Sequence, residues 1–354
     1  MTKREKGGRE ALRFIAILAF ASILLFIQAC GNTSGSAGKQ ENSSAANGNS
    51  AVNGASGDAK SDVPAVLNYG YIGTNKLNLP SGAEGWGFYK GIIQAELKKY
   101  GITEVKLTGF PNGPDQSEAL IGGRLDVGGL GDTPAILAHS SGAKTRVIAQ
   151  VSTDLIGYLI GKKNGPKTVK DLQGKTIAIQ KGSFMHRYIV GLLKEEGVTD
   201  YKLVHLLRPD AEAALARGEV DATTNSGVNA LKLIDQGFTH LDDATSHPDL
   251  YGSSVTVVSE DYLKKFPDFP KIWNEIRLKA LEDLKQHEDE YYKFAAEIAG
   301  TTPELVKKTA PISIIKDVPF TDTGLKLLDG TKKFLVDEKL ADNNFDLNDW
   351  ILKQ

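Results

Sequence analysis

Three stretches of the chain put a glycine and a small polar residue immediately before a helix-period run. They are "FPNGPDQSEAL" with Asn112 and Gly113, "GLGDTPAILAHS" with Gly131, Asp132 and Thr133, and "AIQKGSFMHRY" with Gly182, Ser183 and His186. The chemistry they share is that of a helix N-terminus. First-turn amides have no intrahelical acceptor, and together with the helix dipole they can hold an anion without a basic side chain. Thr133 fits an N-cap with Pro134 at N1, Gly113 and Pro114 repeat the device, and Ser183 caps the third helix with His186 one turn in. A lone Ser or Thr before a helix usually only caps it. Three such turns in one chain point to a cleft for a small anion.

Such turns need elements that aim them at one place. From about Val63 short apolar runs ("AVLNYGYIG", "LDVGGLG", "TRVIAQVS", "TIAIQ", "SSVTVVS") alternate with helix-period segments, which is an α/β pattern. In "SFMHRYIVGLLKEEG", Met185, Ile189, Leu192 and Leu193 share a helix face, and Gly197 sits where a C′ glycine belongs. The last third, from about Asp261, reads as mostly helical. "EALIGGRLDVG" (118–128) and "AALARGEVDAT" (213–223) echo each other, pairing Gly123 with Gly218 and Asp126 with Asp221. Each spells helix end, glycine turn and strand start. Two such units predict two similar α/β lobes, with loops at the carboxyl ends of their strands, where open sheets bind ligands.

Composition narrows the function. A length of 354 residues predicts about two domains, and 42 Lys+Arg against 44 Asp+Glu is too balanced for a nucleic-acid partner. One cysteine excludes a disulfide framework. No histidine pair at i, i+4, no H-E-x-x-H, no P-loop, no dinucleotide fingerprint and no G-x-S-x-G occurs. The expectation is no metal, no cofactor and no enzymatic activity; His240, Asp242, Asp243 and His247 read as a solvated loop.

The N-terminus supplies the location. Lys3, Arg4, Lys6, Arg9 and Arg13 precede an uncharged run from Phe14 to Ala29, and this is a signal-peptide pattern. Ile27-Gln28-Ala29-Cys30 resembles the bacterial lipoprotein box, which implies acylation of Cys30 and removal of residues 1–29. Residues 30–62, rich in Gly, Ser, Asn and Ala, read as a flexible tether. The expected location is the extracytoplasmic face of the cell membrane, on a lipid anchor.

The run "FPNGPDQSEALIGGRLDVGGLGDTPAILAHSSGAKTRVIA", followed by "KTVKDLQGKTIAIQKGSFMH", is similar to the substrate-binding proteins of ABC importers for aliphatic sulfonates, taurine and nitrate. The resemblance covers residues 65 to 260 and, more loosely, the helical tail. It implies the two-lobed type II periplasmic-binding-protein fold, with an interlobe cleft and two hinge crossovers. Lobe 1 would comprise 63–162 and 250–354, and lobe 2 would comprise 163–249. It further implies a monomer that closes on a small anion, sulfonate or taurine before nitrate, and docks on a membrane permease. Ligand contacts would fall at Tyr71, Asn112, Gly113, Gly131, Asp132, Thr133, Gly182, Ser183 and His186. Some sulfonate-binding members carry tryptophans where this chain reads "DATTNSGVN", so Thr223 and Ser226 take those places. The first loop is long and brings Lys76, Trp86 and Tyr89, of which Trp86 is expected to supply the missing apolar wall. These departures leave open nitrate, bicarbonate or a neutral or zwitterionic heterocycle, such as a thiamine-pyrimidine precursor or a flavin.

Overall fold

The computed structural model describes residues 63–353; the expected signal peptide, Cys30 and the tether lie outside the described residues. Ten strands follow in order: β1 (Val66–Ile72), β2 (Glu104–Phe110), β3 (Val127–Gly131), β4 (Thr145–Leu155), β5 (Gly157–Gly161), β6 (Lys175–Ile179), β7 (Tyr201–His205), β8 (Ala222–Ser226), β9 (Thr239–Asp243) and β10 (Gly252–Ser259). They form two five-stranded sheets, in the orders β2-β1-β3-β10-β4 and β7-β6-β8-β5-β9. In each sheet three parallel strands are followed by one antiparallel strand that arrives from the other half of the chain.

The chain therefore crosses between lobes twice. It leaves the first sheet at Leu155 and re-enters it at Gly252. Gly157–Gly161 pairs with Ala222–Ser226, so the first crossing precedes β5, one strand earlier than a boundary at residue 162. Alternation in a sequence locates strands but not their partners, and pairing decides which lobe a strand joins.

The sequence echo is a structural equivalence. Gly123 and Gly218 both have positive φ, 67° and 77°. Asp126 accepts from the Asn68 amide on β1 (2.8 Å), and Asp221 accepts from the Thr176 amide on β6 (3.0 Å). In each lobe an aspartate at the start of the third strand ties it to the first strand of the same sheet.

Helices pack on both faces of the sheets. The first half holds α1 (Gly82–Tyr89), α2 (Ile92–Lys98), α3 (Gly113–Ile121) and α4 (Asp132–Ser140). The second holds α5 (Phe184–Glu195), α6 (Arg208–Arg217) and α7 (Gly227–Asp235). The tail supplies α8 (Glu260–Lys265), α9 (Phe269–Gln286), α10 (Glu288–Ala299), α11 (Pro303–Thr309), α12 (Asp322–Asp337) and α13 (Leu347–Trp350). The tail returns to the first lobe. Trp273 and Ile276 of α9 join Leu67 and Tyr69 in one core cluster, and Leu328, Leu335 and Trp350 join Val147 and Val255 in the other. Ile189, Leu192 and Leu193 of α5 fill the core of the second lobe, as their spacing predicts.

Candidate ligand-binding cleft

A cavity of about 310 Å³ lies between the sheets and takes walls from both. From the first lobe come Tyr71, Asn112, Gly113, Gly131 and Ser254; from the second come Gln180, Ser183, Phe184, Met185 and Ser226. Met185, expected on the core face of its helix, lines the cavity instead.

The starts of α3 and α5 meet here from opposite lobes. Asn112, not Gly113, is the N-cap of α3; its Oδ1 accepts from the Asp115 amide (2.8 Å), which puts Gly113 at N1 and Pro114 at N2. A Cβ on Gly113 would stand 2.5 Å from Pro134 Cγ, so glycine lets α3 approach α4. Across the cleft Gly182 has φ +76°, and a Cβ there would lie 3.0 Å from Pro114 Cγ, so these two helix starts face each other at close range. Ser183 caps α5: its Oγ accepts from the His186 amide (3.2 Å) and donates to the Gln180 carbonyl (2.7 Å). The amides of Phe184 and Met185, in the first turn of α5, have no intrahelical acceptor. Ser226 precedes α7 and makes no side-chain cap, so its hydroxyl is uncommitted at the helix start.

The third helix start does not fit an anion site. Its N-cap is Gly131, with Asp132 at N1 and Pro134 at N3, not Thr133 and Pro134 as expected. The Asp132 carboxylate is fully buried and accepts four hydrogen bonds: from the Thr133 amide (2.5 Å) and hydroxyl (3.0 Å), and from the Ser253 amide and hydroxyl (both 2.9 Å). The chain's own carboxylate occupies the N-terminus of α4 and ties it to β10. Gly131 lines the cavity; Asp132 and Thr133 do not.

Other expected contacts are also relocated. Trp86 is fully buried between α1, α9 and α10, donates to Asp283 Oδ1 (2.7 Å) and packs edge-on against Tyr291 and Phe294, so it is a core aromatic and no cleft wall. Thr223 lies inside the second sheet and donates to the Ala178 carbonyl (3.1 Å). His186 does not line the cavity; its Nδ1 accepts from the Gly182 amide (3.3 Å). Burial, followed by the positive charge of Lys181 and the neighbouring His205, lowers its pKa to about 4. The imidazole is neutral near pH 7. Tyr71 presents its ring to the cavity while its hydroxyl donates to Asn78 Oδ1 (2.9 Å), which holds the long first loop in place. Lys76 lies with Asn75 and Asn78 in a separate shallow hollow, and Tyr89 is exposed.

The sequence reading missed the inner end of the cavity, where Tyr69, Glu84 and Arg277 lie. A signal existed for the last: Arg277 falls one turn after Trp273, on the stripe that carries Phe269, Ala280 and Leu284 into the core. His247 bridges Glu195 (2.6 Å) and Asp242 (3.4 Å), and among the described residues no group of three or more His, Cys, Asp or Glu is placed to hold a metal ion.

Two lobes that present facing helix starts across one cavity define a clamp for a small ligand, and the comparisons agree with that class. The chain belongs to the NMT1/THI5-like family, whose profile it matches over residues 98–290. A Bacillus subtilis (strain 168) protein named as an aliphatic sulfonates-binding protein is 28% identical over 73% of this chain and 79% of its own length. An Escherichia coli (strain K12) protein of the same name is 34% identical over 38% of this chain; the match spans 46% of that relative, under half its length. In fold the chain superposes on the alkanesulfonate-binding protein SsuA of Xanthomonas axonopodis pv. citri, solved with bound MOPS. That match has a TM-score of 0.69 and 22% identity, and it covers 82% of this chain and 99% of the other.

Proposed function

We propose that this chain is the solute-binding protein of an ABC importer, held by a lipid on Cys30 at the extracytoplasmic face, which captures a small oxyanion of the sulfonate class and passes it unchanged to a membrane permease. The observation that carries the reading is the opposition of α3 and α5 across one cavity. Gly113 on one side and Phe184 and Met185 on the other line this space, and an oxyanion there would satisfy first-turn amides that have no acceptor inside their helices. The names of the two sulfonates-binding relatives support the ligand class. The apolar part of the lining (Ile72, Leu155, Val151, Ile315) suits a carbon-bearing anion better than nitrate or bicarbonate, which have no hydrocarbon to bury.

Titration calorimetry on residues 63–354 with alkanesulfonates, taurine, sulfate, nitrate and a pyrimidine tests it. Binding of a sulfonate, with nitrate and sulfate much weaker, is the expected result. Binding of the heterocycle alone, with no heat from any oxyanion, would overturn it.

A further inference from the structure

The cavity continues past the helix starts to the face of the first sheet. It can do so because β3 is glycine-rich: a Cβ on Gly129 would stand 2.6 Å from the Tyr69 hydroxyl and 4.0 Å from Glu84 Oε2. Tyr69, Glu84 and Arg277 line this inner end and are 0%, 6% and 1% exposed. Glu84 Oε1 accepts from Thr256 Oγ1 (2.9 Å) and Trp273 Nε1 (3.3 Å), and its other oxygen is left to the Tyr69 hydroxyl beside it and to the cavity. Arg277 donates from Nη1 to the Lys316 carbonyl (2.5 Å) and from Nε to Asn274 Oδ1 (3.5 Å); its Nη2 is buried with no partner. The Glu84 carboxylate acts electrostatically on the Arg277 guanidinium, so the two charges are neighbours, yet no ion pair joins them and the hydrogen bonds of each go to other groups.

A buried guanidinium nitrogen without a partner is costly, and a carboxylate oxygen that meets only a tyrosine hydroxyl still lacks a cation. An alkyl end satisfies neither. A lone anion pairs with Arg277 but faces Glu84, and a lone ammonium does the reverse. A group that donates and accepts side by side satisfies both and adds no net charge. We propose that Glu84, Arg277 and Tyr69 form a second polar subsite that reads the ammonium and carboxylate of an amino acid, so that the ligand is an amino acid whose side chain ends in a sulfonate. This rests on the reading above, in which the helix starts hold the oxyanion.

A square of ligands tests it by calorimetry on the wild-type chain: ethanesulfonate, taurine, 3-sulfopropanoate and cysteate carry neither group, the amine, the carboxylate and both. A second square, one methylene longer, comprises propanesulfonate, homotaurine, 4-sulfobutanoate and homocysteate. In at least one square the ligand with both groups is expected to bind about tenfold or more tighter than the one with neither. Glu84→Gln keeps an oxygen for Thr256 and Trp273 but replaces the other acceptor with a donor. It should abolish the gain from the amine, read within the variant as the ratio of the affinity of the ligand with both groups to that of the ligand with the carboxylate alone. Plain sulfonates that bind while both groups together add nothing in either square would overturn this subsite and leave the oxyanion reading standing. A gain from only one of the two groups, or a folded Glu84→Gln chain that keeps the full gain, overturns it as well. Failure of every sulfonate overturns the oxyanion reading itself. If Glu84→Gln does not fold, the two wild-type squares decide alone.

Discussion

The proton of the Ser183 hydroxyl goes to the Gln180 carbonyl, and a lone pair receives the His186 amide, so this residue holds the turn that aims the α5 amides. Ser183→Ala is expected to cost about 1 kcal/mol of stability, the usual worth of an N-cap. Affinity should change by less than about threefold, since under 0.7 kcal/mol of ligand contact is then lost; chemical denaturation and calorimetry on one preparation separate the two. His186 governs acid stability instead of binding. Its folded pKa is lowered from 6.5 to about 4, so between those values the unfolded chain takes up a proton that the folded chain refuses. Its contribution is complete above about pH 6.5 and declines as pH falls toward 4, by at most about 1.4 kcal/mol per unit. Affinity should be flat from pH 6 to 8. A loss across that range that disappears in His186→Gln would show the imidazole acting as a charged ligand contact.

At the level of elements, α4 shows why a helix start is not by itself a site. Its N-terminal donors and those of β10 converge on Asp132, and the arrangement pins the re-entering strand to the first lobe. Asp132→Ala removes a buried, fully bonded carboxylate and leaves the Ser253 and Thr133 donors unpaired, with an expected loss of about 3 kcal/mol or more. Added sulfate should recover part of it by binding the vacated helix start; recovery no larger than in the wild type would refute the competing-anion account. Gly113→Ala tests the other face of this packing. The added methyl meets Pro134 and must move α3 away from α4, so affinity should fall more than tenfold while secondary structure, followed by circular dichroism, is retained.

Across the whole molecule, the lobes touch on both flanks of the cavity. Lys194 of α5 pairs with Glu338 just beyond α12, and Lys232 of α7 donates to the Gly300 carbonyl at the end of α10 (3.0 Å). Exposed contacts of this kind contribute roughly 0–1 kcal/mol each. Val228 of α7 adds an apolar contact with the cluster around Val306, and a ligand held by both lobes would favour the closed arrangement further. Small-angle scattering should show a smaller radius of gyration on saturation with ligand. At 100 times the dissociation constant the ligand adds about 2.7 kcal/mol of stability, and a shift in melting temperature without compaction would mean that binding needs no lobe movement. Lys232→Ala should leave the compact bound form intact and raise the rate of ligand release.

Much of this molecule is written locally. Glycines at the ends of α3 and α6, the aspartates that follow them and the apolar spacing of α5 are short-range signals, and they already specified two like α/β lobes with loops at their strand ends. The turns that begin α3 and α5 were legible for the same reason, because caps and turns are made by residues a few positions apart; that the two starts face each other was not. Strand partnership was not: β5 joins the second sheet by pairing with residues more than sixty positions away. Nor could spacing tell that Trp86 would turn to Asp283, that Asp132 would fill its own helix start, or that Glu84 and Arg277 would share the inner end of one cavity. Those outcomes depend on which distant surfaces come together and on what burial then demands of each polar atom, which only the tertiary structure decides.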